Sequence, residues 1–164
     1  MTATDGLTIR PAVREDLPAI AEVFIATRGA AVPAMPPSTH PPHEVHAFYD
    51  AIDLIAGRRE PWVAEDERGI VAFADVEGDW LDALYVLPDA QGEGIGAALL
   101  DLVKSLRPDG FSLWVFESNT PARSFYARHG LVEREHTDGS SNEEKAPDLR
   151  MEWPGRPESV GGSV

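Results

Sequence analysis

The sequence predicts a single mixed α/β domain spanning residues 1–154. Three observations predict it. Seven strand-like and four helix-like stretches follow one another in the order β-α-α-β-β-β-α-β-α-β-β. The three strands in the middle are joined by short polar turns, which reads as an antiparallel meander. The 43% hydrophobic content of the 164 residues is ordinary for one soluble core.

The elements follow in chain order. Leu7–Ala12 alternates before it meets Pro11 and reads as a short first strand. From Glu15 to Thr27, Leu17, Ile20, Ala21, Phe24 and Ile25 recur at helical spacing and predict an amphipathic helix. Gly29–Glu44 holds five prolines in sixteen residues, a density that no regular element survives. It reads as a loop long enough to serve as a lid or substrate loop. A second helix is expected over Val45–Ile55, with Val45, Phe48, Ile52 and Ile55 on one side and Gly57 as its stop. Pro61–Glu67, Gly69–Val76 and Trp80–Val86 are the meander. The next helix has the stripe Ile95, Leu99, Leu102, Val103 and Leu106. Phe111–Phe116 is almost wholly apolar, as a strand buried on both faces would be. Thr120–His129 reads as a helix capped by Thr120, with Pro121 in its first turn. Leu131–His136 and Asp148–Trp153 are closing strands around the polar loop Thr137–Pro147. Residues 155–164 are expected to form a disordered tail.

Composition narrows the function. Fourteen basic residues against twenty-eight acidic ones give a net charge of −14, a field that repels phosphate backbones, so no nucleic-acid partner is expected. That charge suits a cationic substrate, and equally suits simple solubility. No apolar run approaches the roughly 18 residues of a membrane span and the start has no leader pattern, so no membrane partner and a cytoplasmic address are expected. With no cysteine, thiolate metal sites and cysteine nucleophiles are excluded. His40, His43 and His46 lie close together in sequence, but each reads as a surface or pocket side chain, and no metal is expected. Oligomeric state is not legible, and a homodimer stays open.

The stretch Leu87–Leu100, LPDAQGEGIGAALL, sets three glycines on alternate positions just before a helix. Backbone N–H groups at a helix start lack intrahelical partners and carry the positive end of the helix dipole, so they bind phosphate without a charged side chain. Gly94 and Gly96 would leave those amides approachable. The segment has no lysine, which argues against a P-loop. Gly92-Glu-Gly94-Ile-Gly-Ala97 formally meets the dinucleotide fingerprint, yet its strand ends at Val86, five residues early, and the surrounding βαβ units are missing.

A resemblance covers more of the chain. Gln91-Gly-Glu-Gly94-Ile-Gly96 resembles the [QR]-x-x-G-x-[GA] signature of the GNAT superfamily of acyl-CoA N-acyltransferases. Asn119-Thr-Pro-Ala122-Arg-Ser-Phe125-Tyr126-Ala-Arg-His-Gly130-Leu131 resembles its second signature, with one strand between the two. The element order is also the family's, over roughly residues 6–154. The resemblance implies a mostly antiparallel sheet of six to seven strands, splayed between strands 4 and 5 and flanked by about four helices. It implies acetyl-CoA as co-substrate, met by the backbone of Leu84, Tyr85 and Val86 and by a pyrophosphate cradle of Gln91, Gly92, Gly94, Ile95, Gly96 and Ala97. It further implies that Tyr126 protonates the leaving thiolate, and that Asn119 bonds the pantetheine arm or orders its own turn. The incoming ammonium must lose a proton before it can attack. Where some relatives carry a glutamate this chain has Trp114, and Trp80, Asp82 and Leu84 alternate onto one face of their strand. Asp82 is therefore the candidate base, with Glu77 in reserve. Glu143 and Glu144 either greet a cationic amine or form a solvated turn. The expected function is direct acyl transfer, most often of an acetyl group, to an amine of a small molecule or a peptide. A catalytically silent acyl-CoA-binding module of the same fold is the alternative, and the presence of Tyr126 speaks against it.

Overall fold

The computed structural model describes residues 6–157. One seven-stranded sheet runs through it in the order β1-β2-β3-β4-β5-β7-β6. β1 is Thr8–Pro11, β2 Arg59–Asp66, β3 Gly69–Glu77, β4 Trp80–Val86, β5 Phe111–Phe116, β6 Val132–Thr137 and β7 Asp148–Trp153. Every neighbouring pair is antiparallel except β4 and β5, which run parallel and share a single paired position, Trp80 with Ser112. The sheet is closed at that end and splayed at the other, as the resemblance implied.

Helices α1 (Leu17–Ala30) and α2 (Pro42–Asp50) pack on one face, and α3 (Ile95–Leu106) and α4 (Thr120–Arg128) serve the other. The first core centres on the fully buried Phe73, met edge-on by Tyr49 and Tyr85, with Phe24 in tilted and edge-on contact with those two tyrosines. The second is filled by Ile95, Leu99, Leu100 and Val103 of α3, against Leu113, Leu149 and Met151 of β5 and β7.

Four expectations are corrected. The second helix begins at Pro42 and ends at Asp50, earlier at both ends. Proline fits a first helical position, and the Asp53 carboxylate takes the N–H groups of Ile55 and Ala56, building a turn where helix was expected. Ile55 is consequently 99% exposed. On α3 the buried stripe includes Leu100, while Leu102 and Leu106 are only half-buried. β5 is buried on one face only: Phe111, Leu113 and Val115 face the α3 side, and Trp114 stacks on Trp80 with its ring half-exposed. α4 is capped by Asn119, whose side chain accepts the Ala122 N–H, and not by Thr120.

Residues 158–164 of the expected tail lie outside the described residues. Its first part is docked: the Arg156 N–H donates to the Pro108 carbonyl and its guanidinium reaches Ser105.

Candidate active site

β4 ends beside the glycine turn, and its backbone conformation dictates which glycines are needed. Gly92 and Gly94 have φ of +81° and +86°, in the left-handed region that side chains disfavour. Gly94 is the N-cap of α3, and no side chain caps that helix, so the amides of Ile95, Gly96 and Ala97 keep their hydrogens for something else. Gly96 is different, since its φ is not in the left-handed region. A Cβ there would rest in ordinary contact with the Phe125 ring at 3.5 Å and Val86 at 3.7 Å, so α4 and β4 pack close over this position without requiring glycine. The Gln91 side chain folds back to donate to the Val86 carbonyl, at 3.0 Å.

Arg68, from the turn between β2 and β3, crosses to Glu93 inside the glycine turn and is anchored on its other side by Asp66. The segment holds no cation of its own, and the one that reaches it comes from 25 residues upstream.

Between splayed β4 and β5 lies a cavity of about 980 Å³. It brings together Asp82, Leu84, Tyr85, Val86, Gln91, Gly92, Gly94, Ile95, Gly96, Ala97, Asn119 and Tyr126, whereas Glu77, the reserve base, and Glu143 are not part of its lining. Tyr126 is 9% exposed, and burial pushes its hydroxyl well above the ordinary phenol range, with Tyr85 adding to the effect. Asn119 is occupied in ordering its own turn.

The alternation expected of β4 is broken. A bulge opposite Asp75 and Val76 leaves Asp82 without a ladder partner, so Leu84 turns to the α3 side with Leu81 and Val86, while Ala83 and Tyr85 face α1 and α2. Asp82 and Leu84 therefore do not share a face. Asp82 lies 3.0 Å from the Arg59 guanidinium, which also meets Asp75 at 2.6 Å and Glu77 at 3.2 Å. One cation thus balances three carboxylates. Burial raises the Asp82 carboxyl above its ordinary range, against the pull of Arg59. Asp75 is 1% exposed, and burial pushes it up to about 6; its Oδ1 has no hydrogen-bond partner. Asp75 is not among the residues expected at the site, and its one signal in the sequence is a carboxylate inside the apolar run Gly69–Val76.

The other wall is built by the proline-rich segment. It is tied to the β5–α4 turn by Ser118, whose hydroxyl donates to the Ala34 carbonyl, and to the loop between β6 and β7 by His40 and Glu143 at 2.8 Å. Glu144 of that loop lines the cavity and pairs with the buried Arg28 at 3.7 Å. The three histidines part company: His40 meets Glu143 and Glu44, and His46 meets Glu22. Among the described residues no helix is long and apolar enough to cross a membrane.

A splayed sheet whose opening ends on an uncapped, glycine-led helix is the arrangement that the resemblance implied. Comparison with known proteins agrees. The acetyltransferase (GNAT) domain family matches residues 57–133. The peptidyl-lysine N-acetyltransferase YiaC of Escherichia coli is 31% identical over 153 residues, covering 89% of this chain and 96% of that one. The peptidyl-lysine N-acetyltransferase YjaB of Salmonella typhimurium is 39% identical over 71 residues, 43% of this chain and 48% of its own. The solution structure of apo YjaB from Escherichia coli superposes with a TM-score of 0.71 at 24% identity, covering 92% of this chain and 99% of that one, a likeness of fold. The chain belongs to the GNAT family of acetyltransferases, and its reaction is acetyl transfer to an amine.

Proposed function

We propose that the protein transfers the acetyl group of acetyl-CoA to the side-chain amine of a peptidyl lysine. The observation that carries the reading is the cavity itself: it joins the unpaired edge of β4, the free amides of α3 and the Tyr126 hydroxyl in one space. The relative that spans nearly the whole chain acts on peptidyl lysine.

The donor site suits a nucleotide thioester. Free amides of Ile95, Gly96 and Ala97 at the positive end of α3 would hold the pyrophosphate, and the freed edge of β4 near Leu84 and Tyr85 would pair with an amide-bearing arm. When bound, acetyl-CoA supplies an activated acetyl group on a good leaving sulfur. Tyr126, kept protonated by burial, donates its hydrogen to that sulfur as it leaves, and the dry surroundings also raise the thiol's proton affinity. Asp82 takes a proton from the incoming ammonium, and its burial makes it a stronger base than a solvated carboxylate. Arg59 holds Asp82 in place.

The test is thiol release with lysine peptides over a range of pH. Asp82→Asn should lower kcat/KM most at low pH, where the amine most needs a base, and less as solution deprotonates the amine. A pH–rate profile identical to that of the unaltered protein assigns the base to another group. Absence of acetyl transfer to any lysine peptide, with turnover of a small amine, removes the peptidyl acceptor.

A further inference from the structure

A second cavity, of about 210 Å³, lies beside the acceptor end of the first, and Arg28 and Val32 line both. Its wall is otherwise nearly all apolar: Phe24, Ile25, Pro37 and Val45, with His40 at its rim. The volume equals about seven waters at their share of liquid water, room for one branched or aromatic side chain. Nothing in the donor reading uses it.

Arg28 gives the occupant its chemistry. The residue is 7% exposed, its charge is balanced by Glu144, and its Nη2 donates to the Pro36 carbonyl at 3.0 Å. Its Nε–H is buried and has no hydrogen-bond partner. The guanidinium packs against the Phe24 and Phe116 rings beside Tyr85, and Arg28 is the one charged residue lining both cavities. A single buried donor on an already balanced guanidinium calls for one neutral oxygen, such as an amide carbonyl, and not for a second carboxylate. An amide carbonyl between an apolar side chain and an amine-bearing one is what a peptide presents.

We infer that the small cavity is a specificity subsite for an apolar residue adjacent to the acceptor lysine, with Arg28 Nε donating to the peptide carbonyl between them. The inference rests on the peptidyl-lysine reading above.

Gly29 makes the test clean. It lines the small cavity in the last turn of α1, and a Cβ there would meet nothing within 4 Å, so a side chain fills the space without a clash. The probes are N-acetyl-X-Lys-amide and N-acetyl-Lys-X-amide, with X as leucine, alanine or glutamate. In one of the two orders, leucine should exceed alanine at least tenfold in kcat/KM, with glutamate lowest. Gly29→Leu should bring the leucine-to-alanine ratio close to one, and the smaller Gly29→Ala should leave an intermediate ratio. Equal kcat/KM for leucine and alanine in both orders overturns the subsite while the peptidyl-lysine reading stands. A leucine preference undiminished in folded Gly29→Leu also overturns it, because the preference then resides elsewhere. No acetylation of any probe, with turnover of a small amine, overturns both.

Discussion

Along α3 and α4 the cavity wall is made of backbone and apolar packing: the left-handed Gly94, the Gly96–Phe125 contact and the uncapped first turn of α3. At the opposite end the wall carries charges: Asp82 of β4, held from β2 by Arg59, and Arg28 of α1 with Glu144 of the β6–β7 loop, while His40 and Glu143 fasten the rim behind it. The contrast follows from the tasks. A nucleotide of fixed shape is recognised by rigid main chain, which costs little to reorganise. An amine that must be bound as a cation and attacked as a neutral group needs titratable groups near it.

The largest effect should come where the two walls meet. Tyr126→Phe keeps the ring and its packing while removing the hydroxyl. Turnover should fall by roughly 10²–10⁴-fold, about 3–5 kcal/mol of barrier, with melting temperature and acetyl-CoA affinity retained. Unaltered turnover with chemistry rate-limiting would place the proton donor elsewhere.

Next in size is a stability effect confined to the charged wall. The Asp75 carboxyl titrates at about 6 in the folded protein, above its unfolded value, so the folded state binds the extra proton in between. Stability is then greatest below about pH 4 in this contribution and is lost as pH rises toward 6. Asp75→Asn removes the titration and keeps an oxygen for Arg59. Relative to the variant, the unaltered protein should lose on the order of 2–3 kcal/mol between pH 4 and 6 in urea unfolding. Parallel curves would show that Asp75 stays ionised throughout.

The apolar wall was the legible one. Its residues are contiguous: Gln91–Ala97 and Asn119–Leu131 each lie within a single turn and helix, so both signatures that carry the resemblance stand unbroken in the sequence. The charged wall joins residues distant in sequence, such as Arg59 with Asp82 and His40 with Glu143, as does the Arg68–Glu93 pair at the glycine turn, and no periodicity reports such pairs. The bulge in β4 was equally invisible, because one unpaired residue shifts every later side chain to the opposite face. Strict alternation therefore puts Asp82 on the face of Leu84, whereas the bulge separates them. The overextended second helix failed for a local reason: Asp53 offers the backbone a turn in place of another helical repeat.

A pair of glycines tests the apolar wall from within. Gly94→Ala forces a Cβ into the left-handed region, so it should lower stability by about 1–2 kcal/mol and weaken acetyl-CoA binding about tenfold by shifting the α3 amides. Gly96→Ala meets only ordinary contacts at Phe125 and should leave stability unchanged or slightly improved. Equal losses at both positions would deny the separate roles assigned to them.

The smallest effect is expected at the rim, where the charged wall fastens one loop to another. His40 bonds Glu143 of the β6–β7 loop, with Glu44 on its other nitrogen at 3.7 Å, and these carboxylates raise its pKa, Glu143 first. A raised histidine pKa means that the folded state holds the proton more tightly. The clasp is therefore fully present below the ordinary histidine value of about 6.5, and its contribution fades as pH rises through the raised value. His40→Gln cannot carry the charge at any pH. Hydrogen-exchange protection factors of residues 36–41 and 138–146 should exceed those of the variant near pH 6, and the difference should shrink as the solution becomes alkaline. Because the group is solvent-exposed, salt should narrow the same gap. A difference that grows with pH would mean that His40 holds the loops as a neutral ring, through a hydrogen bond that needs no charge.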